Sequence, residues 1–210
     1  MFADRADAGE QLADRLEAEG IDADLVLAIP RGGLPVARPV ADRLGVPLDV
    51  LVARKIGAPW NPELAIGAVA SDGTTWLNES IIGDQSIDDT YVDEGIDTEG
   101  SAAADKLERY RGTRDPPDVT GKTIILVDDG IATGATMFAC VEQLIALEAG
   151  EIIVAVPVGS PDSVARLKSS VDRVICLDEP SFFGAVGQFY DRFDQVSDEA
   201  AAAYLEATDD

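Results

Sequence analysis

The sequence contains no histidine. That absence removes the central residue from Ser-His-Asp and Cys-His nucleophilic catalysis, from HExxH zinc sites and from imidazole proton shuttles. Any catalysis must therefore run on carboxylates, Arg and Lys, hydroxyls, backbone amides or a bound hard metal ion. Cysteine is nearly absent, with Cys140 in a helical pattern and Cys176 in the apolar run at 174–177. The two form no CxxC motif, and each reads as a small core residue. Long apolar runs are missing as well, since no stretch approaches the ~18 residues of a membrane span. The opening MFADRADAGEQLADRL is acidic and lacks the apolar segment of a secretory signal. A cytoplasmic protein is expected.

Basic charge is scarce. Sixteen Lys and Arg residues, only four of them Lys, face 40 Asp and Glu, for a formal net charge of −24. The acids run along the whole chain instead of forming a tail, so they read as a solvated skin. A more specific reading is adaptation to high salt. At 1 M salt the Debye length is only about 3 Å, and repulsion among surface carboxylates becomes tolerable. The same charge argues against non-specific nucleic-acid binding, which rests on Lys and Arg neutralising phosphates. Hydrophobic residues still make up 46% of the 210. That is not the composition of a disordered chain, and it suffices for a single α/β domain with a sizeable core.

The apolar pattern alternates between the two periods. Residues 4–19 read as an amphipathic helix, 25–29 as a buried strand, 35–44 as a helix opened by Pro35 and closed by Gly45, and 48–53 as a strand. Residues 54–71 read as loop, with short strands near 65–70 and 74–77. A helix is expected at 101–111, a strand at 123–127, a helix at about 134–148 and a strand at 152–156. A helix near 162–169, a strand at 174–177 and a short helix after Ser197 complete the chain. Continuously apolar strands alternating with helices argue a parallel sheet covered on both faces. Open sheets of that kind place ligands just past the C-terminal ends of their strands.

The most unusual stretch sits at such an end. After the apolar run 123–127 come two adjacent acids, Asp128 and Asp129, and then the small loop Ala132-Thr133-Gly134-Ala135-Thr136 running into a helix. Backbone N–H groups at a helix N-terminus, with threonine hydroxyls and a glycine, suit a phosphate. Ionised carboxylates only accept hydrogen bonds, so the acid pair suits a neighbouring diol such as ribose. Together they point to a phosphorylated sugar; an acidic turn with an N-capping threonine is the other reading of the same residues. Residues 84–89, DQSIDD, lack the glycine and closing glutamate of a calcium loop. Neither GxGxxG nor GxxxxGK[ST] occurs, which disfavours a dinucleotide-binding dehydrogenase or a P-loop kinase.

ILVDDGIATGAT, residues 125–136, closely resembles the phosphoribosyl pyrophosphate (PRPP) signature of the type I phosphoribosyltransferases. PRGGLPVA, residues 30–37, resembles that family's first loop, and ARKIGAPWNPELAIGAVA, residues 53–70, stands where the family has its mobile catalytic loop. The full pattern, over roughly residues 2–200, resembles a branch of small phosphoribosyltransferase-domain proteins whose acceptor is generally unassigned. The resemblance implies the family's α/β fold, a parallel sheet with helices on both faces, as one domain over 1–210. Its core would span about 20–178, with a hood from the N-terminal segment and about 179–210.

It further implies that Asp128 and Asp129 hold the ribose 2′- and 3′-hydroxyls and that the amides and hydroxyls of Ala132, Thr133, Gly134, Ala135 and Thr136 hold the 5′-phosphate. Arg31, Gly32 and Gly33 would bind pyrophosphate, the glycines supplying backbone freedom and the arginine charge. Arg54 and Lys55 would be catalytic cations for the diphosphate, alongside Asp128 and Asp129. Mg²⁺ is the implied cofactor, held through PRPP and the two aspartates and not by a dedicated protein site. Phe182, Phe183, Phe189 and Tyr190 would either stack a planar base or pack the hood. Glu63 would orient substrate or metal, or simply be a surface acid.

The function implied is Mg²⁺-dependent transfer of the 5-phosphoribosyl group of PRPP to a nitrogenous acceptor, a purine-like base being one candidate, with release of pyrophosphate. The partners would be PRPP, a small-molecule acceptor and a second copy in a homodimer, with neither nucleic acid nor membrane. The alternatives are a non-catalytic PRPP-binding regulator and an enzyme running the reverse or hydrolytic reaction.

Overall fold

Buried apolar runs become the strands of this chain, and runs with one apolar face become its helices. In the computed structural model, which describes residues 1–206, the order begins with α1 (Arg5–Ala18), β1 (Leu25–Ala28), α2 (Gly33–Leu44), β2 (Leu48–Val50), β3 (Ala53–Ala58), β4 (Asn61–Ala70) and β5 (Thr75–Leu77). It continues with α3 (Glu79–Asp84), α4 (Asp89–Arg111), β6 (Thr123–Val127), α5 (Ala135–Ala146), β7 (Glu151–Val158), α6 (Pro161–Leu167) and β8 (Arg173–Asp178). A 3₁₀ turn at Val186–Phe189 precedes α7 (Asp198–Glu206). The last four residues of the expected 1–210 domain and of its hood lie outside the described residues.

The chain divides into two compact units. The first comprises Met1–Val50, Val119–Ala132 and the chain from Glu148. It contains a parallel sheet of five strands in the order β2-β1-β6-β7-β8, the expected parallel α/β architecture. Its central strands are continuously apolar because they are buried on both faces. On α1, Ala8, Leu12 and Leu16 form the buried stripe, and Asp4 caps the helix by accepting from the Asp7 amide at 3.0 Å. Helix α2 ends at Gly45, whose left-handed φ of 66° lets its N–H reach back to the last carbonyls.

The second unit comprises Leu51–Asp118 and Thr133–Leu147. It holds an antiparallel sheet in the order β3-β4-β5, with α3, α4 and α5. Here the structure departs most from the expected elements. The strands expected near 65–70 and 74–77 are present as parts of β4 and β5, but residues 54–64 are not a loop: they complete the hairpin β3–β4, with register shifts at Ile56, Gly57 and Ala58. Gly57, Pro59, Pro62 and Gly67 read as breakers, yet the two glycines serve close packing. A Cβ on Gly57 would stand 2.6 Å from the Pro62 carbonyl oxygen, and one on Gly67 would stand 2.7 Å from Leu77. Helix α4 begins at Asp89 instead of 101. Its acidic first half hides the period, and Gly95 is there because Ile56 of β3 packs against it. Helix α3, capped by Asn78, was not expected from the pattern.

Candidate active site

Within the first unit, β1 and β6 are parallel neighbours, with Ala28 opposite Val127. The turns leaving their C-terminal ends therefore meet. The Pro30–Arg31 peptide is cis. Beyond it, a Cβ on Gly32 would lie 2.0 Å from the Asp129 carboxylate, and one on Gly33 would lie 2.7 Å from the Val127 carbonyl oxygen. Gly32 has φ −62°, a value any residue adopts. The expectation that this glycine supplies backbone freedom is therefore corrected: it is needed because the aspartate leaves no room for a side chain. Arg31 is half exposed, its guanidinium 3.8 Å from Asp198.

The loop after β6 is pinned along its length. The Asp128 carboxylate accepts from the Asp129 amide at 2.8 Å. The Ile131 amide donates to the Val158 carbonyl, and the Ser160 and Ser163 hydroxyls both donate to the Ala132 carbonyl at 2.7 Å. Asp129 is held more elaborately. Arg5, the first residue of α1, donates from Nε to Asp129 Oδ2 at 2.8 Å and from Nη1 to the Asp194 carbonyl at 2.8 Å. The Phe193 ring lies under the Arg5 guanidinium at 3.7 Å, and the Tyr190 hydroxyl donates to the Asp129 carbonyl at 2.6 Å. Burial pushes the Asp129 carboxyl above its ordinary range, against the pull of the Arg5 charge and hydrogen bond. Burial first, and then the Asp129 charge, also raise the Tyr190 hydroxyl, so it remains a donor.

The second unit holds the rest of the expected residues. Thr133 is exposed, and Gly134, at φ 76°, is the N-cap of α5 with no side-chain cap. No threonine caps this helix, so the reading of a simple capped acidic turn does not describe it. Ala135 and Thr136 form its first turn, where uncapped N–H groups suit an anion. Arg54 and Lys55 lie on β3, and each is paired. Arg54 donates to Glu99, and Lys55 Nζ lies 2.8 Å from Glu63, whose carboxyl it holds below the ordinary range.

The structure thus gathers Arg31, Gly32, Gly33, Asp128, Asp129 and Ala132 in the first unit. Arg54, Lys55, Thr133, Gly134, Ala135 and Thr136 belong to the second. Of the four aromatics named from the sequence, Tyr190 packs on Phe2 and Phe193, Phe183 packs on Phe189, and Phe182 stands 83% exposed. Arg5, Ser160 and Ser163 were missed. Arg5 sits in a segment that reads only as an amphipathic helix, and no local pattern ties it to a residue so distant in the chain.

Among the described residues, no group of three or more His, Cys, Asp or Glu side chains could hold a metal ion. The carboxylates of Asp128 and Asp129 are the hard oxygen donors Mg²⁺ prefers, and Mg²⁺ takes few protein ligands beside substrate phosphates and water, so the residues fit. No helix among the described residues is long and apolar enough to cross a membrane.

The family model of the phosphoribosyl transferase domain matches residues 4–194. Two curated relatives from Mycobacterium tuberculosis, strains CDC 1551 and H37Rv, provisionally named phosphoribosyl transferases, are each 44% identical over 206 residues. The match covers 98% of this chain and 46% of each relative, so the chain spans less than half of their length. The crystal structure of TT1426 from Thermus thermophilus is 41% identical, with a TM-score of 0.81 over 98% of this chain and 97% of that one. With the motif at the end of β6 and a family match over nearly its whole length, the chain belongs to the phosphoribosyl transferase domain family.

Proposed function

We propose that the protein is a Mg²⁺-dependent phosphoribosyltransferase that binds PRPP and transfers its 5-phosphoribosyl group to a nitrogenous, purine-like acceptor. The observation that carries this reading is the packing of the Gly32 turn directly on the Asp129 carboxylate. It joins the motif expected for pyrophosphate to the motif expected for the ribose diol. In the reaction the bond from ribose C1 to pyrophosphate breaks with its electron pair leaving on the pyrophosphate oxygen, a C1–N bond forms, and the proton of the acceptor nitrogen passes to the released pyrophosphate or to water. The Asp128 and Asp129 carboxylates accept hydrogen bonds from the 2′- and 3′-hydroxyls. The amides of Ala132 to Thr136, with the Thr133 and Thr136 hydroxyls, hold the 5′-phosphate. Amides at Arg31 to Gly33 hold the diphosphate, with positive charge from Arg31; Arg54 and Lys55 are the catalytic cations that the resemblance implies. Bound Mg²⁺, with Asp128 and Asp129 as its protein donors, would neutralise charge on the departing diphosphate. No imidazole is needed. A homodimer in the cytoplasm belongs to the same reading, on the resemblance alone.

The pairing of Arg54 with Glu99 and of Lys55 with Glu63 favours a second reading, a PRPP-binding regulator without turnover. One experiment separates them: a panel of bases with PRPP and Mg²⁺ at molar salt, with pyrophosphate release as the readout. The enzyme releases pyrophosphate with at least one base, and Lys55→Ala abolishes release while PRPP still binds. Silence across the panel, with PRPP binding intact, selects the regulator.

A further inference from the structure

Asp129 sits on the sheet's C-terminal edge, yet the groups that orient it come from both ends of the chain. The Arg5 guanidinium meets three partners in different directions: Asp129 Oδ2 at 2.8 Å, the Asp194 carbonyl at 2.8 Å and the Phe193 ring at 3.7 Å from its centroid. Its side chain is 12% exposed and that of Asp129 is 15% exposed. A planar guanidinium held at its edge and its face has little rotational freedom, and an ammonium could not satisfy the same set. Tyr190 fixes the other end of the residue through the Asp129 carbonyl, and its own ring is wedged between Phe2 and Phe193. The ion pair engages Oδ2 through Nε alone and leaves Oδ1 outside it.

We propose that Arg5 is a positioning residue: held by Phe193 and Asp194, it locks the Asp129 carboxylate so that Oδ1 is presented to a ribose hydroxyl. This rests on the reading of Asp129 as a ribose ligand. Arg5 also offsets a carboxylate charge that would otherwise repel an anionic sugar phosphate. It has no part in the bond changes, and its effect is carried by Asp129.

The test is calorimetric titration of PRPP into the folded 210-residue chain, with Mg²⁺ and molar salt, for the wild type, Arg5→Ala, Arg5→Lys, Phe193→Leu and Asp129→Asn. A charge-assisted hydrogen bond lost from a misplaced carboxylate weakens binding about ten- to a hundredfold, which is the loss expected for Arg5→Ala. Arg5→Lys recovers only part of it. Millimolar ethylguanidinium restores affinity to Arg5→Ala and leaves the wild type and Asp129→Asn unchanged, a rescue that a purely structural role would not give. If Arg5→Ala fails to fold, Phe193→Leu carries the test with a several-fold loss. Wild-type affinity in Arg5→Ala, or in Phe193→Leu when that variant stands in, overturns the inference alone. A folded wild type that does not bind PRPP overturns the reading of the site, and the inference with it.

Discussion

Gly32 and Asp129 show how tightly the site's residues constrain one another. With 2.0 Å between a Cβ at Gly32 and Asp129 Oδ2, Gly32→Ala must displace either the turn or the carboxylate. The expected outcome is a loss of about 1–3 kcal/mol in stability, read by thermal denaturation, with a large loss of PRPP affinity. Wild-type affinity in a folded Gly32→Ala protein would contradict it. The position of the two aspartates at the end of β6 was legible in the sequence because the apolar run 123–127 that precedes them reads as a buried strand. Arg5 was not, since its contact with Asp129 exists only once α1 meets the sheet; Tyr190 was named only as an aromatic, and its hydrogen bond to the Asp129 carbonyl had no local sign. Cys176 matches its core-like reading in chemistry if not in full burial. Burial first, and then the Glu179 charge, push its thiol up to about 12 from an ordinary 9.0, so the thiolate is disfavoured. Its alkylation by iodoacetamide at pH 9 should run on the order of a hundred- to a thousandfold slower in the native than in the unfolded protein. Equal rates in the two states would refute this.

At the scale of elements, the parallel strands were legible because double burial makes them uniformly apolar, and β6 spans the expected residues. The end of β4 was legible at 65–70, but β3 and the start of β4 were hidden by the residues that make the hairpin possible. Glycine and proline signal loops locally, whereas here Gly57 and Gly67 admit neighbouring backbone and side chains. Gly67→Ala should bring its Cβ to 2.7 Å from Leu77 and 2.8 Å from the Trp76 carbonyl oxygen, prising β5 from β4. A destabilisation of about 1–3 kcal/mol is expected in urea unfolding, and no shift in the midpoint would show that the strands tolerate the change. Helix α4 was half legible for a similar reason. Its acidic N-terminal half reads as solvated surface, and the glycine that packs on Ile56 reads as a break.

For the whole molecule, charge is the dominant property. A net charge of −24 opposes both compaction and the approach of any anionic ligand, the proposed PRPP included. Much of the scarce positive charge is already committed, as in Arg43 with Glu10, Asp14 and Glu17, and Arg114 with Asp105 and Glu108. Such exposed pairs contribute little each, so screening by salt should matter more than pairing. The melting temperature is expected to climb steeply from millimolar to molar salt; full stability in low-salt buffer would count against a surface adapted to high salt. The central claim is that Asp128 and Asp129 form the sugar half of a PRPP site. The direct measurement is calorimetric titration of PRPP with Mg²⁺ into the wild type and Asp129→Asn. Saturable binding by the wild type, weakened by about tenfold or more in Asp129→Asn, is predicted. A folded wild type that does not bind PRPP, or equal affinity in the two proteins, would contradict it.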